Sequence, residues 1–172
     1  MYRALPYFML FVIAVLLQVF LFDNLSISVY FNPLIYIVFI ILLPLDTPHI
    51  VLLGSGLLMG AVMDAAMGTA GINTIATLAV AFMRPQLIGW LHSRDDAREG
   101  GIPSPVRFGA RVFRNYLVAM VLLHAILFFS LEALSWTYVF HTLARIVVSS
   151  VGSIVFIWLI ARLFIAKYTV RL

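Results

Sequence analysis

The sequence predicts an all-α integral membrane protein with about six transmembrane helices. Of its 172 residues, 64% are hydrophobic and 10% are charged, and the mean hydropathy is +1.11. A soluble domain is usually about half apolar and about a quarter charged. Apolar runs of membrane-spanning length recur along the chain, and prolines, glycines or charged residues separate them. At this length we expect a single membrane domain, residues 1–172.

The chain has a formal net charge of +4, and in a membrane protein such an excess of positive charge concerns the lipid bilayer. Positive residues are expected to set orientation and to contact membrane lipid, and no nucleic-acid partner is predicted. The chain contains no Cys, which excludes disulfides and thiol chemistry. It also lacks the His-Glu-x-x-His, Walker A and Gly-x-Ser-x-Gly motifs. We therefore predict a protein that is not an enzyme and has no catalytic residue, cofactor or metal.

The first two apolar segments differ in continuity. Residues 4–22 form an unbroken run without a following cleavage pattern, so we predict a retained first span. Residues 27–43 are interrupted by Asn32-Pro33, and the residue before a proline avoids the helical conformation. We expect an interfacial or broken piece followed by a short helix over residues 33–43. The chain has five spans instead of six if this segment does not cross.

The next two helices are predicted to be joined by a tight reversal. Residues 48–68 predict a third helix, and about 1.5 Å per residue makes it long enough to cross a bilayer. Residues 68–71 must turn sharply because so few residues separate two apolar runs. The fourth helix is predicted to begin at residue 73 or 74 and to end near Met83, before Arg84. The long side chain of Arg84 is expected to extend to the membrane interface.

A hydrophilic loop over residues 93–114, roughly, is predicted to be cytoplasmic. Its residues 94–99 carry mixed charge. Arg107, Arg111 and Arg114 follow at i, i+4 and i+7, which places them on one helical face. This pattern predicts a short amphipathic helix with a lipid-facing basic surface. Docking of a partner is the alternative role.

Two further spans, residues 115–134 and 142–165, complete the chain. Glu132 and Arg145 fall at the outer ends of these adjacent helices, where they could form an ion pair or extend separately to the interface. His124, near the middle of the fifth span, is interpreted as a hydrogen-bonded packing residue rather than a ligand. With six spans, most positive residues collect on one side, so both termini are predicted to be cytoplasmic.

Residues 54–73 carry the strongest pattern. Gly56, Gly60, Asp64 and Gly68 recur every fourth residue and form one narrow helical stripe. Glycines on a stripe allow a neighbouring helix backbone to approach closely in lipid. A charged group at membrane depth is costly and is a functional-site hypothesis by default. The alternative is a structural role, in which Asp64 accepts hydrogen bonds from the start of the fourth helix, near Asn73.

The length, the six-span layout and the run Gly-x-x-x-Gly-x-x-x-Asp-x-x-x-Gly-x-x-Gly-x-Asn resemble the MreD family of bacterial rod shape-determining membrane proteins. The residues of this run are Gly56, Gly60, Asp64, Gly68, Gly71 and Asn73. The resemblance implies a non-enzymatic subunit of the cell-elongation complex in the bacterial inner membrane. It also implies a fold similar to the substrate-binding subunits of energy-coupling-factor transporters.

The same resemblance implies particular partners. These are the bitopic scaffold MreC, the filament protein MreB, the glycosyltransferase RodA and a class B penicillin-binding protein. The alternative function is a small-molecule, vitamin-type binding subunit of a membrane transporter. Such a binder needs a concave site with a few placed polar groups, and the polar residues predicted at the outer side (Asp64, Asn73, Glu132 and Arg145) are few.

Overall fold

The structure, a computed structural model, describes residues 4–24, 28, 30–91, 100–134 and 139–169, and every regular element in these ranges is helical. In chain order the elements are α1 (Ala4–Leu16) with a π-helical extension (Leu17–Phe22), α2 (Val38–Leu42), α3 (His49–Met67), α4 (Ile72–Leu91), α5 (Pro105–Phe108), α6 (Ala110–Ala133) and α7 (Val139–Thr169). The predicted all-helical class is confirmed.

Five helices are long and apolar enough to cross a membrane: α1 with its extension, α3, α4, α6 and α7. The sequence predicted about six. The segment that differs is the second one, whose backbone is not helical over residues 31–35 and forms only the five-residue α2 thereafter. Pro33 has no N–H and restricts the preceding residue, so a continuous helix cannot form here. The predicted break is present, but the short helix begins at Val38 and not at Pro33.

This broken segment, residues 30–45, is the centre of the molecule. Residues 34–43 are all buried, with at most 7% exposure for any side chain. At one end Tyr30 contacts His141 in the first turn of α7. At the other end the Leu45 N–H donates to the Gly101 carbonyl oxygen at 2.9 Å, in the loop before α5. The segment therefore runs between the two ends of the bundle.

The fourth helix is longer than predicted. It passes through Arg84 and Pro85 and ends at Leu91, so the predicted end near Met83 is wrong. Pro85 removes one N–H donor from the helix, but neighbouring helices can compensate such a loss. The extra two turns bring the end of α4 beside the start of α3.

The predicted basic helix is interrupted. Ser104 caps the four-residue α5, and the Arg107 N–H donates to its hydroxyl at 3.3 Å. Gly109 then adopts a φ of 77°, a conformation that favours glycine, and separates α5 from α6. Arg107 is half-buried on α5, whereas Arg111 and Arg114 are exposed on the first turns of α6. The three side chains do not share one continuous helical face. The mixed-charge residues 94–99 lie outside the described residues.

Candidate functional site

The glycine stripe of α3 faces α4. A Cβ atom built on Gly60 would lie 2.9 Å from both the Asn73 carbonyl oxygen and the Thr74 nitrogen, which are backbone atoms of α4. A Cβ atom on Gly56 would lie 2.8 Å from the Ala81 Cβ. Gly54, on another face of the same helix, has nothing within 4 Å of the equivalent position. The two helix backbones therefore approach each other where Gly56 and Gly60 lack side chains.

Asp64 continues this stripe and receives five hydrogen bonds. The Asn73 and Thr74 backbone N–H groups donate to its carboxylate at 3.0 and 2.9 Å. The Asn73 side-chain amide donates at 3.2 Å, and the hydroxyls of Thr69 and Thr74 donate as well. The two backbone N–H groups are the donors that the sequence predicted at the start of the fourth helix, where the positive end of the helix dipole also favours an anion. The three side-chain donors were not anticipated. The carboxylate joins the end of α3 to the beginning of α4.

Two glycines form the reversal that brings these helices together. Gly68 ends α3 with a φ of 68° and Gly71 precedes α4 with a φ of 85°. Both values lie in the left-handed region, which glycine adopts without steric cost. The Thr69 N–H donates to the Asp64 carbonyl oxygen at 3.1 Å and closes the end of α3. The tight turn predicted between the third and fourth helices is present.

A second set of polar side chains extends this network into the core. The Tyr36 hydroxyl donates to Asn73 Oδ1 at 2.7 Å and lies 2.9 Å from His124 Nε2. Because the hydroxyl proton goes to Asn73, His124 donates through its Nε2–H to the Tyr36 oxygen. All three side chains are fully or almost fully buried. His124 is thus a hydrogen-bonded packing residue, as the sequence predicted, whereas the participation of Tyr36 was not anticipated.

Side chains from the π-helical extension of α1 and from α7 bind the non-helical backbone of the broken segment. Ser153 accepts a hydrogen bond from the Leu34 N–H at 2.8 Å, and Gln18 accepts one from the Ile35 N–H at 2.7 Å. Gln18 also donates to the Pro33 carbonyl oxygen at 3.2 Å. Irregular backbone at membrane depth is tolerated only where protein or water satisfies its polar groups. These serine and glutamine side chains were not recognised as partners of residues 33–35, because only the fold brings them there.

The opposite end of the broken segment is held by Arg84. Its guanidinium donates to the carbonyl oxygens of Leu43 and Pro44 and to the Tyr116 hydroxyl. The Tyr116 hydroxyl in turn donates to the Ile41 carbonyl oxygen at 3.0 Å. The sequence predicted that Arg84 extends to the interface, but the side chain is only 2% exposed and points into the bundle.

Glu132 and Arg145 form an ion pair between α6 and α7. Their closest nitrogen and oxygen atoms are 2.9 Å apart, and a second contact measures 3.2 Å. The Arg145 guanidinium also lies 4.9 Å from the centre of the Phe129 ring, which suits a cation–π contact. Both charged side chains remain partly exposed. Of the two alternatives that the sequence left open, an ion pair or separate extension to the interface, the structure contains the ion pair.

Comparison of the chain with protein-family models, with curated proteins and with solved structures finds no match. The resemblance to MreD and to the energy-coupling-factor fold therefore stays a prediction. The chemistry of the described residues is dominated by internal hydrogen bonding. Asp64, Asn73, Tyr36 and His124 all direct their polar atoms at one another or at neighbouring backbone.

Proposed function

We propose that the chain is a non-enzymatic membrane subunit of the bacterial cell-elongation complex, in which it helps to organise peptidoglycan synthesis and control rod shape by binding an MreC-type bitopic scaffold. It works there with MreB, RodA and a class B penicillin-binding protein. Its place is the bacterial inner membrane, with both termini in the cytoplasm. The proposal starts from the glycine and aspartate run of residues 56–73, which resembles the MreD family.

The hydrogen bonds of the outer polar residues favour a scaffold over a small-molecule binder. Asp64 and Asn73 bond to each other and to the turn between α3 and α4. Glu132 and Arg145 bond to each other. A binding site for a polar small molecule needs polar groups that are free to point at the ligand. The four residues that such a site would use instead hold helices together.

The bilayer-facing surface of α3 suits contact with another helix. Gly54, Ala61 and Ala65 are exposed there beside Leu58, on a different face from the stripe that packs on α4. Small exposed residues allow helix backbones to approach each other in lipid. A single transmembrane helix of a bitopic partner is the kind of element that such a surface accommodates.

The distribution of charge supports the proposed orientation. Six basic residues of the described ranges lie at the end where α4 finishes and α6 begins: Arg84, Arg107, Arg111, Arg114, Arg162 and Lys167. Arg145 lies at the other end, beside Glu132. Positive residues accumulate on the cytoplasmic side of membrane proteins. An even number of passes, five helical and one broken, then leaves both termini on that side.

Co-purification tests the proposal directly. The tagged chain is co-expressed with the MreC-type protein of the same genome, solubilised in mild detergent and captured. The control partner carries an unrelated transmembrane helix in place of its own. We expect the native partner to co-purify, the control to do so much less, and depletion of the chain in cells to convert rods into spheres. A folded chain that leaves the partner behind, and whose melting temperature rises with a small molecule, would contradict the scaffold and favour the binder.

A further inference from the structure

A cavity of about 470 Å³ lies between the first turn of α3 and the last turns of α4. One part of its lining is polar and includes Thr47, His49, Arg84 and Gln86. Another part is apolar and includes Leu52 and Ile88. The cavity is at the end of the bundle that carries most of the described basic residues, hereafter the basic end. A lining of this kind suits a ligand that has both a polar group and an apolar body.

Arg84 gives the cavity a positive charge. The residue is almost completely buried, and each of its three guanidinium contacts is to a neutral oxygen. No carboxylate pairs with it in the part of the chain that the structure describes. Neutral acceptors solvate a buried cation but leave its charge uncompensated, which is costly at low dielectric. An anion that entered the cavity would reduce that cost.

The start of α3 adds to the positive potential. This helix has 19 residues, begins at His49 and has Pro48 as its N-cap, and among the described residues no side chain caps its first N–H groups. The N-terminus of a helix carries a partial positive charge and unpaired donors, which together favour a phosphate or carboxylate. The neighbouring carboxylate, Asp46, lines a separate groove between α1 and α3 and not this cavity.

Trp90 indicates the source of the anion. It lines the cavity and is 74% exposed, and exposed tryptophans favour the headgroup depth of a bilayer. We propose that the cavity binds the phosphate group of an anionic phospholipid from the leaflet at the basic end, with the start of α3 facing the phosphate and the buried Arg84 charge adding positive potential from the cavity wall. The lipid's apolar portion then contacts the half-buried Leu45 and the exposed Trp90, which also line the cavity. Basic pockets between transmembrane helices are a recurrent form of headgroup site.

Native mass spectrometry of the full chain in mild detergent tests this proposal. The probes are phosphatidylglycerol, phosphatidylcholine with the same acyl chains, and inorganic phosphate. The test variant is His49→Glu, which places a carboxylate at the cavity, and the matched control is the neutral His49→Gln. A glutamate in the first turn is favourable to the helix, so the variant is expected to fold. Arg84 is left in place because it also holds the Leu43 and Pro44 carbonyl oxygens.

We expect the native chain to retain phosphatidylglycerol about tenfold or more better than phosphatidylcholine, a factor that corresponds to about 1.4 kcal/mol. His49→Glu should lose most of this preference while His49→Gln keeps it, and excess inorganic phosphate should not displace the lipid. Equal retention of the two lipids would overturn the proposal, as would an unchanged preference in His49→Glu. Displacement by inorganic phosphate would also overturn it, because the site would then serve a free phosphate ion.

Discussion

Replacing Gly60 by alanine adds a single methyl group at the closest approach of α3 and α4. That carbon would lie 2.9 Å from the Asn73 carbonyl oxygen and the Thr74 nitrogen, where ordinary contacts begin at 3.4 Å. The obstacles are backbone atoms, which cannot rotate away as a flexible side chain can. The Thr74 Cα would be closer still, so the helices must separate by about an ångström, a displacement that forfeits about a quarter to a half of each dispersion contact across the interface.

The same displacement acts on Asp64, one turn further along α3. Its bonds to the Asn73 and Thr74 N–H groups measure 3.0 and 2.9 Å and would lengthen towards the limit of useful hydrogen-bond geometry. Overpacking in a well-packed core typically costs about 1–3 kcal/mol. Gly54→Ala is the matched control, because it lies on the same helix with open space around it. The gain from replacing a helical glycine, about 0.5–1 kcal/mol, applies to both variants, so their difference isolates the packing cost.

The assay is thermal unfolding of the two purified variants in the same detergent, followed by size-exclusion chromatography. We expect Gly60→Ala to melt below Gly54→Ala by about 2–4 °C for each kcal/mol of packing cost, the conversion for a chain of this size. Gly54→Ala should melt at or above the native temperature. If Gly60→Ala melts as high as Gly54→Ala, the stripe is not a tight interface and the close-packing argument is wrong.

Three other predictions concern the polar network and the orientation. Asp64→Asn should lower the free energy of unfolding by about 1–3 kcal/mol and Asp64→Leu by more, since each leaves donors of α4 unpaired. If Asp64→Asn instead gives a normal folded yield but loses partner binding, the charge itself is functional. Ser153→Ala should cost about 1–3 kcal/mol in thermal unfolding because the buried Leu34 N–H loses its acceptor. Ser150→Ala is its control and should cost little, because its buried hydroxyl bonds to nothing within the described ranges. Val106 and Leu134 are 84% and 85% exposed. With a membrane-impermeant reagent, Leu134→Cys should react in intact cells and Val106→Cys only after lysis. The chain has no background thiol, and labelling of Val106→Cys in intact cells would reverse the orientation.

The sequence by itself determined the features that depend on neighbours along the chain. Apolar runs of spanning length predicted the five long helices, because a helix in lipid satisfies its own backbone. The four-residue spacing of Gly56, Gly60 and Asp64 predicted one face, and the short Gly68–Gly71 interval predicted a sharp turn. Together these placed Asp64 beside the start of the fourth helix without knowledge of any other element.

Only the tertiary structure decided how the broken segment is accommodated. Its acceptors and donors come from Gln18, Ser153 and Arg84, which are 17, 119 and 41 residues away from the positions that they contact. Contacts over such distances along the chain are not visible in the sequence. The sequence predicted that Arg84 extends to the interface, whereas the structure directs its side chain inward to two carbonyl oxygens. Irregular backbone inside an apolar bundle requires a polar partner for each N–H and C=O group, and long-range packing alone determines which side chain supplies it.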